Sequence, residues 1–200
     1  MEQLAHWIGQ EGDKYIERNG EELLPAYTSM WERILHRTAL ANSVLEVGAN
    51  VGINLKAIKN LRPDMECNAI EPNPVARATL LSEGVTAFPY AAEDPWDMWG
   101  DYDLVFTRGV LIHINPTLLP LVYENMYRRT RRYMVVAEYF APKREMIPYR
   151  GLLNRLWRAD YAGEIMEKYP DMKLLDYFFI YKRDLVAPQD NITVFIMEKT

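Results

Sequence analysis

From Ser43 onward, short apolar runs alternate with helical segments, and this alternation constrains the fold of the 200-residue chain more than any other feature. The strands are predicted at Ser43–Gly48, Met65–Glu71, Val85–Phe88, Tyr102–Thr107 and Tyr133–Tyr139, with helices at Gly52–Leu61, Pro74–Leu81 and Pro116–Arg128, the last capped by Asn115. Strands that alternate with helices build parallel βαβ units with helices on both faces of the sheet. The sequence therefore predicts a doubly wound α/β domain whose ligands bind at the carboxyl ends of the strands.

The flanking segments complete the predicted architecture. Two helices are predicted at about Glu2–Arg18 and Glu21–Leu40, and another near Leu152–Lys168. Two β-rich stretches, Leu174–Lys182 and Ile192–Glu198, are predicted to form a terminal antiparallel hairpin, which brings the mostly parallel sheet to seven strands. We expect one domain, with a helical cap at 1–42, a ligand-binding core at 43–139, a substrate-side insertion at 140–171 and the hairpin at 172–200.

Composition excludes several classes of protein. The net charge is −5, and the longest basic cluster, Arg128–Arg132, is weak support for nucleic-acid binding. The chain has one cysteine, Cys67, so an internal disulfide is excluded. Because the chain also has only three, scattered histidines, we expect no metal site. No apolar run approaches the roughly 18 residues of a membrane span, and the N-terminus lacks the features of a signal peptide. We expect a cytoplasmic protein without membrane contact.

The segment 44–55, VLEVGANVGINL, lies where a ligand-binding turn follows the first strand of such a sheet. Gly48 and Gly52 allow the backbone to turn sharply and approach a ligand, and Asn50 tolerates a left-handed conformation better than most residues. The dinucleotide fingerprint G-x-G-x-x-G fails here, because Asn50 and Ile53 occupy its second and third glycine positions.

Acidic residues at the strand ends indicate the kind of ligand. Glu46 would repel a pyrophosphate but would attract the ammonium and sulfonium groups of S-adenosylmethionine (SAM), which makes a dehydrogenase improbable. Glu71 closes the second strand, where a carboxylate meets ribose hydroxyls, and Pro72 makes a rigid corner beside the adenine. Glu93 is predicted to reach the adenine amine, with Asp94 as the alternative and a surface or capping acid as the plainer interpretation.

The fourth strand and the loop after it, 103–113, supply the next candidates. Thr107, Arg108 and Gly109 are predicted to lie beside the transferred methyl group, and Val110 (or Leu111) to cover the adenine edge. His113 has two interpretations: it holds this loop in place, or it acts on the substrate.

Substrate-side candidates follow the fifth strand. Glu138 ends that otherwise apolar strand and is predicted to be a general base or a substrate anchor, with capping or a salt bridge as the alternative. The polar and aromatic set suited to a hydroxyl-rich or anionic ligand is Tyr139, Tyr149, Arg150, Arg158 and Asp160. Each could instead belong to a salt-bridged surface.

Near the end of the first predicted helix, Tyr15, Arg18 and Asn19 are candidates for a lid over the cofactor. Arg18 would then reach the carboxylate of SAM. Ordinary helix capping is the alternative for all three.

Together, VLEVGANVGINL, AIEPNP and YDLVFTRGVLIHINP resemble class I SAM-dependent methyltransferases over 43–139. The flanks are similar to a narrower group, the pseudaminic acid biosynthesis-associated methylases, over nearly the whole chain. The flanking motifs are Trp7 with GDKYIERN at 12–19, LIHINP, Glu138-Tyr139 with Tyr149-Arg150-Gly151, Arg158-Ala159-Asp160-Tyr161 and Tyr169–Asp171. Ala49-Asn50 departs from the small, often Cys-Gly, pair that is commoner in the wider class.

The resemblance implies a methyltransferase variant of the doubly wound fold, SAM as cofactor, and a small acceptor such as a nonulosonic (pseudaminic-type) acid or a related sugar intermediate. Two other functions remain open: methylation of a nucleic acid, and SAM binding without catalysis. No NPPY-like tetrapeptide follows the fourth strand, where Thr107-Arg108-Gly109-Val110 stands instead. The oligomeric state does not follow from the sequence.

Overall fold

The computed structural model describes residues 7–9, 12, 20–98, 100–149, 151 and 154–200. After a 3-10 turn at Glu21–Leu23, the helices are α1 (Leu24–Arg37), α2 (Ile53–Leu61), α3 (Pro74–Ser82), α4 (Leu119–Arg129) and α5 (Tyr161–Lys168). The strands are β1 (Ser43–Val47), β2 (Glu66–Ile70), β3 (Thr86–Phe88), β4 (Tyr102–Arg108), β5 (Thr130–Glu138), β6 (Glu145–Met146), β7 (Trp157–Arg158), β8 (Met172–Ile180) and β9 (Ile192–Lys199).

Seven strands form one sheet in the order β3-β2-β1-β4-β5-β9-β8. Strands β1 to β5 pair in parallel, and β9 pairs antiparallel with both β5 and β8. The predicted doubly wound sheet with a terminal antiparallel hairpin is therefore confirmed. The carboxyl ends of β1, β2 and β4 meet at one edge, and strand order reverses between β1 and β4, so this edge is the expected ligand site.

The side chains of each strand divide between two apolar clusters, one on each face of the sheet. One face packs against α1 and α2 through Trp31, Ile34 and Phe106, all of which are at most 1% exposed. The other packs against α4 and α5, for example through Val122 and Ile165. Because successive strand residues alternate between faces, Glu46 and Arg108 lie on the α1 side, whereas Glu138 lies on the α4 and α5 side.

Two predicted helix boundaries are wrong. The helix expected from Pro116 begins only at Leu119, because Asn115 Oδ1 accepts hydrogen bonds from Thr117 and holds 115–118 in a turn. The helix expected near Leu152–Lys168 begins at Tyr161, since Trp157–Arg158 pairs as a strand with Glu145–Met146. The first predicted helix lies mostly outside the described residues.

Candidate functional site

A cleft opens at the carboxyl edge of β1, β2 and β4. Its lining comprises Trp7, Gly12, Tyr27, Glu46, Gly48–Val51, Ile53, Asn54, Glu71–Asn73, Ala76, Ala91–Glu93, Arg108–Val110, His113 and Ile114. It thus brings together nine of the ten predicted cofactor residues that the structure describes, all except Gly52, and one of the two predicted catalytic residues, His113.

The turn between β1 and α2 forms the floor of the cleft. Gly48, Asn50 and Gly52 all have positive φ, at 72°, 50° and 79°. A Cβ on Gly48 would lie 2.7 Å from Val110 Cγ2, so only glycine allows the β4 loop to approach this closely. Asn50 takes the left-handed conformation that the sequence indicated, and its side chain accepts a hydrogen bond from the Val51 amide at 2.7 Å.

Glu46 lies at the end of a buried chain of hydrogen bonds, which we call the relay. Trp31 Nε1 donates to Asn54 Oδ1 at 3.0 Å, and Asn54 Nδ2 donates to Glu46 Oε1 at 2.7 Å. Glu46 is 2% exposed, and no described group hydrogen-bonds to its second oxygen, Oε2. Burial raises the pKa of this carboxyl well above its ordinary value, while the hydrogen bond from Asn54 and the charge of Arg108 lower it. Such an oriented carboxyl is suited to a cationic ligand that restores its charge.

Glu71 connects the β1 turn to the corner after β2. Its Oε2 accepts from the Asn50 amide and its Oε1 from the Asn73 amide, each at 2.7 Å. Burial raises the pKa of Glu71, and these two hydrogen bonds oppose the rise. Since a carboxylate oxygen can accept more than one hydrogen bond, both oxygens keep capacity for a diol in the cleft.

The two acids after β3 have separate surroundings. Glu93 is half-buried and lines the cleft. Asp94 Oδ2 instead accepts from the Ala91 amide at 2.8 Å and so closes the local turn. Of the two acids considered for the adenine end, Glu93 is the one that borders the cleft.

Arg108 ends β4 on the same face of the sheet as Glu46. Its guanidinium lies 4.0 Å above the ring of Tyr27 and donates through Nη2 to Gln189 Oε1 at 2.9 Å. Gln189 Nε2 donates to the Ala26 carbonyl at 3.0 Å, which ties the β8–β9 connection to α1. Arg108 Nε is buried, and it donates a hydrogen bond to no acceptor within the described part of the chain.

His113 lines the cleft and lies in an aromatic cluster. Its ring centroid is 4.9 Å from that of Trp7 and 5.2 Å from that of Tyr149. His113 Nδ1 is 2.8 Å from the carbonyl oxygen of Arg155. A carbonyl oxygen can only accept, so Nδ1 carries a hydrogen, and the basic nitrogen of the neutral ring is Nε2.

Glu138 does not line the cleft. Its Oε1 accepts from the amides of Val110 and Leu111 at 3.0 and 3.1 Å, and its Oε2 accepts from the Ile112 amide at 3.4 Å. The side chain therefore holds the loop that carries Val110 and His113. Burial raises its pKa to about 7, against the lowering effect of these hydrogen bonds. The geometry is that of the capping alternative and not of a base that touches a ligand.

The predicted substrate set is dispersed. Arg158 lies 3.7 Å from Glu145, and Asp160 Oδ1 accepts from the Gly163 amide as the N-cap of α5. Tyr139 packs between the two apolar clusters, and Tyr149 is the one that contacts a cleft residue, His113. The remaining candidates, Tyr15, Arg18, Asn19 and Arg150, lie outside the described residues.

Each arginine of the basic cluster has an acidic partner. Arg128 pairs with Glu124, Arg129 with Asp101, Arg131 with Asp103 and Arg132 with Glu198. The cluster spans the end of α4 and the beginning of β5. It therefore lies at the amino end of that strand, on the edge of the sheet opposite the cleft. Its charge is locally compensated, which removes the observation that favoured a nucleic-acid substrate.

Among the site residues that sequence reasoning missed are four that contact the side chains of Glu46 and Arg108 directly or through one another: Tyr27, Trp31, Asn54 and Gln189. Asn54 carries the one local signal, because a polar residue facing inward on the first turn of α2 needs a buried partner. The other three reach the site from α1 and from the β8–β9 connection. The sequence around each of them therefore gives no indication that it contacts Asn54 or Arg108.

The described residues include no group of three or more His, Cys, Asp or Glu side chains arranged to hold a metal ion. Within the same residues, no helix has the length and apolar character needed to cross a membrane.

Solved structures with the same fold are numerous. The chain is similar to the Burkholderia thailandensis 1,6-didemethyltoxoflavin-N1-methyltransferase with bound 1,6-didemethyltoxoflavin and S-adenosylhomocysteine (TM-score 0.73, 12% identity, 98% of this chain and 87% of that one). It is also similar to Streptomyces venezuelae DesVI (TM-score 0.67, 10% identity, 94% and 96%). A third is the magnesium protoporphyrin IX methyltransferase from Synechocystis PCC 6803 with bound SAM (TM-score 0.66, 10% identity, 98% and 94%).

No protein-family model matches the sequence, and no curated protein sequence matches it either. At identities of 10–12%, the structural likeness establishes the fold, which is the Rossmann-like fold of class I methyltransferases.

Proposed function

We propose that the chain is a SAM-dependent methyltransferase that acts on a small polar acceptor. The observation that carries the proposal is a buried carboxyl and a half-buried guanidinium that both line the cleft, each with a buried atom that has no hydrogen-bond partner among the described residues: Glu46 Oε2 and Arg108 Nε. The methionine end of SAM is a zwitterion, with an ammonium for Glu46 and a carboxylate for Arg108. The glycine turn at Gly48 gives the backbone approach that a ligand between them needs.

The rest of the cleft suits the nucleoside. Glu71 would accept hydrogen bonds from the two ribose hydroxyls, while Pro72 would lie against the adenine and Glu93 would receive its amine. SAM supplies a methyl group on a positively charged sulfur. The residues around it hold that group against the acceptor and exclude water, which by positioning alone can lower a barrier by roughly 7–11 kcal/mol.

His113 is the candidate for the proton of the acceptor. Its Nδ1 is held by the Arg155 carbonyl, so Nε2 is the nitrogen able to take a proton from an attacking hydroxyl, or from an ammonium to give the free amine that attacks. Glu138 would act through the loop as a positioning residue. Tyr149 contacts the His113 ring and is the predicted substrate residue with a place beside the cleft.

For the acceptor, we propose an anionic sugar of the nonulosonic acid type or a related intermediate. Two features of the sequence support this class: the motifs shared with the pseudaminic acid biosynthesis-associated methylases, and the charge of the insertion. The first part of the insertion, residues 140–160, contains five Lys or Arg and two Asp or Glu, whereas the whole insertion, 140–171, contains six Lys or Arg and five Asp or Glu, in a chain of net charge −5. Arg144 is paired with Glu164 and Arg158 with Glu145, while the backbone carbonyl of Arg155 contacts the cleft residue His113. The excess of positive charge in 140–160 favours an anionic ligand.

Calorimetric titration of SAM, S-adenosylhomocysteine, decarboxylated SAM and NAD tests the cofactor site. We expect selective binding of the first two, and a loss of about a hundred-fold in SAM affinity for Glu46→Gln and for Arg108→Ala, each of which leaves one charge of the ligand unpaired. Arg108→Ala should remove the preference for SAM over decarboxylated SAM, whereas Glu46→Gln should retain it. Glu83→Gln, an exposed carboxylate distant from the cleft, is the control. If the wild type binds no SAM, the proposal fails.

Catalysis needs a separate experiment. Wild type and His113→Gln are incubated with SAM and a panel of free and CMP-activated nonulosonic acids, and products are sought at the mass increment of one methyl group. We expect methylation by the wild type and a reduction in kcat of about a hundred-fold in His113→Gln, with unchanged SAM affinity. SAM binding without product from any acceptor would favour the non-catalytic SAM-binding function instead.

A further inference from the structure

The terminal hairpin exposes a continuous aromatic surface that the cofactor cleft does not use. Five side chains form it, and we call them the aromatic face: Phe140, Tyr177, Phe179, Tyr181 and Phe195. Ring centroids are 5.8 Å apart for Phe140 and Phe195, 6.1 Å for Tyr177 and Phe195, and 6.2 Å for Phe179 and Tyr181. Tyr177 and Phe179 are two residues apart on β8 and share one side of the sheet, so the contacts join into one surface.

The described helices leave this side of β8 and β9 uncovered. On the opposite side, α1 covers the hairpin: the Arg33 guanidinium lies 3.8 Å above the Phe178 ring, and Arg37 pairs with Asp176. On the aromatic side, α5 packs beside Met172, at the beginning of β8. Tyr177 and Phe179 consequently remain 63% and 57% exposed.

The concentration of exposed apolar side chains here is unlike that on the rest of the described surface. Of the fourteen exposed large apolar side chains, seven lie between residues 174 and 186. Leu185 and Val186, in the β8–β9 connection, are 99% and 88% exposed. Leu81 and Leu121, by contrast, are apolar residues on different helices, and isolated residues of that kind are normal on protein surfaces.

We propose that the aromatic face is the interface of a homodimer, in which two copies pack these sheet faces together around a two-fold axis. Aromatic side chains have about 150–250 Å² of surface each, so the four exposed members present on the order of 400 Å². That is about half of the ~800 Å² that each partner contributes to a standard interface, and it lies within the range of the largest patches on monomers, which are often functional.

A second copy fits this surface for two reasons. None of the five side chains is charged, and homodimer interfaces are the more apolar class of interface. Two antiparallel strands also present a flat, ridged surface, and a two-fold axis places each ring row against its own copy, as in the face-to-face packing of two sheets.

Sedimentation equilibrium over a wide range of protein concentration tests the dimer. We expect a mass twice that of the 23.4 kDa chain, and a dissociation constant at least roughly thirty-fold weaker in Tyr177→Lys and in Phe179→Lys, because each places a charge in the interface core. Leu81→Lys and Leu121→Lys are matched controls, since these residues are 56% and 52% exposed and lie elsewhere. Both controls should dimerise as the wild type does.

Hydrogen exchange gives a second measurement that does not depend on a variant. Amides of 177–181 and 193–195 in the wild type should gain protection as concentration rises through the dissociation constant. A wild type that stays monomeric at every concentration would overturn the proposal and leave the aromatic face to a different partner. A dimer that persists unchanged in both lysine variants would also overturn it. The test requires no SAM, so its outcome is independent of the proposed activity.

Discussion

Arg108 and Gln189 are 81 residues apart in sequence, and Arg108 Nη2 donates to Gln189 Oε1 at 2.9 Å. The ring of Tyr27 lies beneath the same guanidinium at 4.0 Å. The end of β4, the first turn of α1 and the β8–β9 connection thus meet at one side chain of the cleft. Because a guanidinium is planar with donors in a fixed fork, these two contacts orient the donors that remain.

Gln189→Ala should weaken SAM binding by about ten-fold, because the hydrogen bond that orients Arg108 is lost. Binding of decarboxylated SAM should be unaffected, since that ligand has no group for Arg108. Isothermal titration of both ligands measures the difference, and Asp190→Ala, an exposed residue of the same connection, is the control. Equal losses for the two ligands would show that Gln189 contributes only to stability.

Glu138→Gln should change how stability depends on pH. Burial raises the folded-state pKa of Glu138 from 4.5 to about 7, so the folded chain binds this proton more tightly than the unfolded chain. This difference in pKa contributes to the free energy of unfolding. The contribution is fully present below about pH 4.5 and is lost as the pH rises through 7, by on the order of 3 kcal/mol.

Urea denaturation of wild type and Glu138→Gln at several pH values isolates this contribution, because the other carboxyls are common to both chains. We expect the free energy of unfolding of the wild type to fall relative to that of the variant between pH 4.5 and 8. Parallel curves would contradict the assignment. Glu138→Ala should be less stable than both, since three backbone amides lose their acceptor.

Asn54→Leu should destabilise the fold by about 2–5 kcal/mol, because it leaves Trp31 Nε1 and Glu46 Oε1 buried without partners. Asn68→Leu is the comparison: Asn68 is also buried, but its partner Glu66 is exposed and can be rehydrated. Adding Trp31→Phe to Asn54→Leu should recover part of the loss, since it removes the orphaned donor. If Asn54→Leu costs no more than Asn68→Leu, the relay does not stabilise the fold.

Gly48→Ala should weaken SAM binding by ten-fold or more. The new methyl would meet Val110 at 2.7 Å, and the positive φ of 72° strains any L residue. Gly84→Ala has a similar φ of 76° with no atom within 4 Å of the added carbon. It should lose about 1 kcal/mol of stability and keep its SAM affinity. Calorimetry and thermal unfolding of the two variants separate strain from obstruction of the cleft.

Much of the sheet and its ligand edge could be predicted from local patterns. The strands β1, β2, β4, β8 and β9 lie within one or two residues of their predicted bounds. The left-handed Asn50 and the acids at strand ends were visible as well. These features depend on residues within a few positions of one another, since side-chain alternation, turn chemistry and helix capping act over that range.

Residues 154–160 and Glu138 show why other predictions were wrong or received a different role. The sequence near Trp157 is compatible with a helix, but pairing with Glu145–Met146 and the cap at Asp160 place the helix start later. Glu138 ends its strand as expected, yet three amides from another segment surround its carboxylate. In both cases the partner is distant in sequence or belongs to a loop whose path no local rule specifies.

The strand and helix pattern, the glycine turn and the proposed class of ligand follow from the amino-acid sequence, because each depends on short-range chemistry. The Trp31–Asn54–Glu46 relay, the Arg108–Gln189 contact and the exposed aromatic face follow from tertiary packing. Each joins segments that are far apart along the chain, and the free energy of such a contact exists only once the sheet has brought those segments together.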